Sequence, residues 1–132
     1  MFVDPDAPQR DAIEEAAKWI LAGAVVALPT DTLYGLAVDP FNAAAVARLF
    51  AAKGRPEDRG IPLIAADRAQ VEQHLGPLIG SAARVAERFW PGPLTLLLPA
   101  PRALAAGVSA GTGRVGVRVP ADKCARAICA AV

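Results

Sequence analysis

The sequence predicts an α/β domain with a mixed sheet and flanking helices. Three observations point there. Short apolar runs recur along the chain and read as buried strands. Segments between them carry apolar residues at i, i+3, i+4 and i+7, the stripe of a surface helix. Several connections are short and proline-rich, which favours a mixed sheet over a purely parallel one with its long crossovers.

Each element has its own signal. Arg10 to Ala22 is the first helix, with Ile13, Ala16, Ala17, Ile20 and Leu21 on one face and Gly23 as its stop. Ala24 to Leu28 is continuously apolar and reads as a buried strand that Pro29 ends. Asn42 is a good N-cap for a second helix, Ala43 to Lys53, whose apolar face is Val46, Leu49 and Phe50. Gly54 stands at its C-terminal cap, and Pro56 prevents continuation.

Ile61 to Ala65 reads as a strand, Arg68 to Leu75 and Ser81 to Phe89 as helices, and Leu94 to Leu98 as a buried strand. The Pro91-Gly92-Pro93 turn sets the crossing into that strand, with Phe89 and Trp90 packing beneath it. Arg114 to Val119 alternates strictly, and Asp122 caps a last helix that runs to Val132.

Composition narrows the function classes. At 132 residues, 54% apolar and 20% charged, the chain suits one domain and needs no disulfide staple. A net charge of +1 provides no global field for nucleic acid and argues against a general RNA-coating protein. Cys124 and Cys129 lie five apart, on different faces of a helix, and Cys and His are too few for a zinc site. They read as idle thiols in a reducing cytosol. The first ten residues hold no apolar signal segment, and no apolar run approaches the roughly 20 residues of a membrane helix. A cytoplasmic protein without a membrane partner is the expectation. His74, the only histidine, reads as a surface residue with no catalytic work.

Three constellations could carry chemistry. In Pro29-Thr30-Asp31-Thr32-Leu33-Tyr34, extended backbone would point Thr30, Thr32 and Tyr34 the same way. That row of hydroxyls either binds a small polar substrate or phosphate, or is the solvated face of a strand. Lys53 continues the Val46/Leu49/Phe50 stripe, and Arg55 follows the glycine cap. The two cations form either an anion clamp or snorkelling side chains at a helix C-terminus. In Arg114 to Val119, the three valines share one face. Arg114, Gly116 and Arg118 share the other, with room at Gly116 for a ligand against the backbone, or else a solvated basic edge. Gly111-Thr112-Gly113-Arg114-Val115-Gly116 matches GxGxxG, but a strand follows it where the dinucleotide fingerprint needs a helix. No phosphate-binding G-x-x-x-x-G-K-[ST] loop occurs.

Taken together, four segments resemble the YrdC-like family of threonylcarbamoyl-AMP synthases. They are GAVVALPTDTLYGLAVDP (23–40), LFAAKGRP (49–56), FWPGPLTLLL (89–98) and VGVRVP (115–120), in family order and spacing. The resemblance implies an open twisted mixed sheet with a positively lined cleft. It implies synthesis of threonylcarbamoyl-AMP from L-threonine, bicarbonate and ATP, with release of pyrophosphate and Mg²⁺ held mainly through the phosphates. The product would serve N6-threonylcarbamoyladenosine formation in tRNA, through a partner threonylcarbamoyl transferase complex. It places Lys53 and Arg55 on the ATP phosphates and reacting carboxyl groups, as catalytic and ATP-binding residues. Thr30, Thr32 and Tyr34 fall near the threonine, Arg118 on its carboxylate and Arg114 on the nucleotide.

One family feature is missing: a Ser-x-Asn motif on a strand after the last helix. The resemblance thus implies a single domain over residues 1–132 that lacks its C-terminal portion. A fragment of a longer protein, a wall supplied by a second chain, and a truncated inactive paralogue all remain open. So does an RNA-binding module for tRNA or double-stranded RNA in translation or ribosome maturation, using the same basic cleft.

Overall fold

The fold is described from a computed structural model, covering residues 4–54, 56 and 58–132. Arg55 therefore lies outside the described residues. The chain runs α1 (Arg10–Leu21), β1 (Val26–Leu28), β2 (Gly35–Ala37), α2 (Ala43–Lys53), β3 (Leu63–Ile64), α3 (Arg68–Leu75) and α4 (Gly80–Phe89). It continues through β4 (Leu96–Pro99), α5 (Ala106–Ser109), β5 (Arg114–Arg118) and α6 (Lys123–Ala131).

The strands form two hydrogen-bonded sets. β1 and β2 make an antiparallel hairpin in which Leu28 faces Gly35. β5 lies between β3, to which it is parallel, and β4, to which it is antiparallel. That is the mixed sheet the short connections predict. β3 is only two residues long because Pro62, just before it, has no N–H to give the ladder. Its pairing is extended by Ala65 N–H donating to the Arg118 carbonyl at 3.0 Å.

Three apolar clusters hold the layers. α3 and α4 lie against the three-stranded sheet through Val71, Leu78, Ala86, Leu98, Val117 and Val119. α1 and α6 pack on the hairpin through Ile13, Ile20, Leu28, Ala125 and Ile128, with Ile64 of β3 reaching the same cluster. α2 and α5 pack through Val46, Phe50, Leu104 and Val108 against Val115. β5 alternates as expected: its valines, Val115 and Val117, are buried, as is Val119 just beyond it.

Polar ties fix two helices that border the cleft. Asn42 Oδ1 accepts from Ala45 N–H at 3.1 Å to start α2, and Gly54 ends it in left-handed backbone at φ 58°. Arg48 donates to the Gly23 carbonyl at 2.7 Å, joining α2 to the exit of α1. α5 lies so close to α2 that a Cβ on Gly107 would meet Phe50 at 3.2 Å and Val46 at 3.3 Å. α6 starts on the Asp122 cap and is tied to the β3–α3 link by Arg126 donating to the Ala66 carbonyl, and to α3 by Gln70 donating to the Cys129 carbonyl, both at 2.7 Å.

Four expectations change. The short helix α5 has no sequence signal; it is four residues long and exists by packing on α2. Thr30 to Tyr34 is a turn, not an extended run. The space above Gly116 is taken: a Cβ there would sit 3.0 Å from Thr95 Cγ2 and 3.9 Å from Pro62 Cβ. Of the two aromatics before Pro91, only Trp90 packs inward, its Nε1–H donating to the Leu94 carbonyl at 2.8 Å. Phe89 is 51% exposed and carries the Arg88 guanidinium over its ring.

Candidate active-site cleft

A cavity of about 420 Å³ opens between the β1–β2 hairpin, the end of α2, β3 and α3. Its floor is apolar, with Leu28, Leu49, Ile64 and Val117 contributing. Thr30, Thr32, Tyr34, Lys53 and Arg118 all line it, so five of the residues singled out from sequence share one space. Arg114 does not line it. It is exposed at the opposite end of β5, against Pro99 of β4. Alternation puts it on the same face as Arg118, but the intervening Thr95 and Pro62 side chains fill the gap at Gly116.

The loop between β1 and β2 is built around the Thr30 hydroxyl. Thr30 Oγ1 accepts from Leu33 N–H at 3.1 Å and Thr32 N–H at 3.3 Å, and it donates to the Leu33 carbonyl. A Thr side chain closing a turn on its own backbone is the reason the segment leaves the extended conformation. The Thr30 and Thr32 hydroxyls lie 3.2 Å apart. Thr32 Oγ1 accepts from the Arg118 guanidinium at 3.3 Å. A chain of contacts thus runs from Arg118 through both hydroxyls to the Leu33 carbonyl. The hydroxyl pair that the resemblance assigns to threonine already holds Arg118 and shapes the loop. Tyr34 stands apart, 82% exposed at the cavity rim.

Arg118 has a second partner. Its Nη1 lies 3.8 Å from Asp31 Oδ1, with both side chains mostly screened, 17% and 14% exposed. Sequence reasoning missed Asp31 because the extended reading turned it away from Thr30 and Thr32. The turn reverses that. Lys53 differs: it lines the cavity from the last residue of α2, is exposed, and has no ion pair among the described residues.

The cavity's remaining wall is inert in character. His74 lines it with its ring 5.4 Å from that of Phe41. Cys129 lines it too, and burial pushes its thiol up to about 12. Cys124 is buried in the α1–α6 cluster, where burial first and then the nearby Asp122 raise its thiol. Both cysteines are free and held in the protonated, weakly nucleophilic form. No helix among the described residues is long and apolar enough to cross a membrane.

A family described as "Telomere recombination" (Sua5_yciO_yrdC) matches residues 18–132. The chain is 45% identical over 119 residues to a threonylcarbamoyl-AMP synthase of Halorhodospira halophila, covering 90% of this chain and 62% of that protein. It is 43% identical over 109 residues to one of Bacillus subtilis, covering 82% and 32%. Its fold superposes on Pyrococcus abyssi Sua5 complexed with L-threonine with a TM-score of 0.87 at 37% identity, covering 94% of this chain and 36% of that one. The chain therefore spans between about a third and two-thirds of the length of these relatives.

Proposed function

The chain belongs to the Sua5/YciO/YrdC family, and from that premise we propose that its cleft serves threonylcarbamoyl-AMP synthesis from L-threonine, bicarbonate and ATP, with release of pyrophosphate. The observation that carries the reading is Arg118: a guanidinium lining the cavity and held by Thr32 and Asp31. A planar fork with donors to spare suits a carboxylate. The names of the H. halophila and B. subtilis relatives and the L-threonine bound to P. abyssi Sua5 support it.

The reaction asks for anion management more than for a strong base. Threonine's amine attacks the bicarbonate-derived carbon, expelling the elements of water, and leaves a carbamate. A carbamate oxygen then attacks the α-phosphorus of ATP, and the bond to pyrophosphate breaks. Arg118 holds the threonine carboxylate, with Thr32 setting the guanidinium and Tyr34 at the rim beside the amino acid. Lys53, with Arg55, neutralises the triphosphate and the developing charge on the reacting carboxyl group. Cations placed where charge develops, and reactants held in contact, supply most of the rate. Arg114 contributes a nucleotide contact from outside the cavity.

Mg²⁺ belongs to this reading as a companion of ATP. Among the described residues no three His, Cys, Asp or Glu side chains come together to hold a metal. Mg²⁺ would be held mainly through the triphosphate. The same reading treats residues 1–132 as a single domain, since all three apolar clusters draw on β3 or β5. The product passes to a partner threonylcarbamoyl transferase acting on tRNA in the cytoplasm.

The test is pyrophosphate release from ATP that depends on both L-threonine and bicarbonate. None from a folded chain extended to the length of its relatives overturns the proposal. Steeply salt-dependent tRNA binding without saturable ATP binding would transfer the assignment to an RNA-binding module.

A further inference from the structure

Arg118 projects from the end of β5, yet both of its polar side-chain contacts come from the β1–β2 loop, which belongs to a different hydrogen-bonded sheet. Both contacts use one nitrogen. Nη1 is 3.3 Å from Thr32 Oγ1 and 3.8 Å from Asp31 Oδ1. A guanidinium has five N–H donors in a rigid plane. Nη1 is engaged by Thr32, which lines the cavity, and by Asp31, which does not. The Nη2 and Nε edge has no contact among the described residues, and it is the edge that makes a two-point contact with a carboxylate.

Asp31 is well placed to hold Nη1. Its side chain is 14% exposed, it does not line the cavity, and among the described residues Arg118 is its only charged partner. It accepts no hydrogen bond there either, so no competing contact explains its orientation. Thr32 alone would leave the guanidinium free to turn about a single hydrogen bond to an uncharged hydroxyl. A carboxylate on the side away from the cavity removes that freedom and keeps the long side chain from swinging out to solvent.

We propose that Asp31 is a positioning residue for Arg118, fixing the guanidinium so that its free edge meets an anionic ligand in the cavity. The ligand's identity as L-threonine rests on the function proposed above; the positioning itself does not. Asp31 acts through Arg118 and touches no reacting atom. The arrangement also makes the loop responsive to the ligand. A carboxylate on the free edge shares the guanidinium charge with Asp31, so binding is felt at residues 30–34 across the gap between the two sheets.

The experiment has two arms on Asp31→Asn, Asp31→Glu and Arg118→Ala, each checked for a wild-type melting profile. The first is ligand-free: the ¹⁵N spectrum of the Arg118 Nη groups, since Nη1 is the nitrogen engaged. Wild type should show a distinct Nη1 signal, set apart by slow rotation of the held guanidinium. Asp31→Asn should lose it to the averaged arginine position, and Asp31→Glu should recover it. The second arm is calorimetric titration with L-threonine in the presence of ATP. Asp31→Asn should weaken binding roughly tenfold, the scale of one charge-assisted contact. Asp31→Glu should recover most of that loss. An Arg118 signal unchanged in Asp31→Asn overturns the proposal. So does wild-type threonine affinity in Asp31→Asn when Arg118→Ala has lost it. If wild type binds no threonine, the assigned function falls, and the ligand-free spectrum still decides whether Asp31 positions Arg118.

Discussion

Arg118 and Lys53 line the same cavity but are held in opposite ways. Arg118 is built in: its strand is central to the mixed sheet, and its guanidinium is clasped by Thr32 and Asp31. Lys53 sits on a helix end, exposed, with no ion pair among the described residues. Under the proposed function, the difference is what two kinds of anion require. A carboxylate is recognised by planar geometry, so the fork that meets it gains from being fixed in advance. A triphosphate changes charge distribution during reaction, and a mobile point charge on a flexible stem can follow it.

Four measurements break or sharpen this contrast. The largest effect is expected from Arg118→Ala, which should raise the threonine KM by roughly a hundredfold while changing kcat less, as loss of a bidentate charged contact does. Steady-state pyrophosphate release at varied threonine reads it. Next, Lys53→Ala should lower kcat by roughly tenfold with the threonine KM nearly unchanged, because its charge acts on the phosphates as they react. The reverse pattern in the two variants would mean that the fixed and free cations have exchanged roles.

A smaller effect tests how free Lys53 is. Gly54 closes α2 at φ 58°, and Gly54→Ala should cost about 1 kcal/mol in left-handed backbone. At this size that lowers the melting temperature by roughly 3–5 °C. Kcat should fall less than in Lys53→Ala. An unchanged melt would show that the helix end is not fixed there.

The smallest concerns the cavity's apolar wall. Burial raises Cys129 from the ordinary thiol value to about 12. Above the unfolded value the unfolded chain has released that proton and the folded chain still holds it. Stability should therefore fall as pH rises from about 9 toward about 12, by at most about 1.4 kcal/mol per pH unit for one group. Denaturant midpoints across that range, compared with Cys129→Ala, isolate its share. If the two proteins show the same slope, the thiol is not held protonated by burial.

Much of this arrangement was legible in the sequence wherever the signal is local. Asn42, Gly54 and the Val46/Leu49/Phe50 stripe define α2 and its caps because capping and periodicity act within a few residues. The alternation from Arg114 to Val119 correctly buried Val115, Val117 and Val119 and turned Arg118 to the other face. The Thr30–Tyr34 run was less legible. Its composition fits an extended strand as well as a turn. Only the closure of the Thr30 hydroxyl on Leu33 and Thr32 decides, and that closure brings Asp31 round to Arg118.

By itself, then, the sequence determined five of the six helices, the positions of β1, β3, β4 and β5, the mixed character of the sheet and the residue types that carry charge, since each follows from hydrophobic period and short-range backbone chemistry. It did not reveal β2 or α5, nor that Ala27 and Leu97 in the runs read as buried are exposed. The tertiary structure alone decided which charges meet. It separated Arg114 from the cavity by packing Thr95 and Pro62 over Gly116, and it placed Asp31 beside Arg118 although the two lie far apart in the chain. Contacts across such distances depend on how sheets and loops stack, and no periodicity in the chain records that.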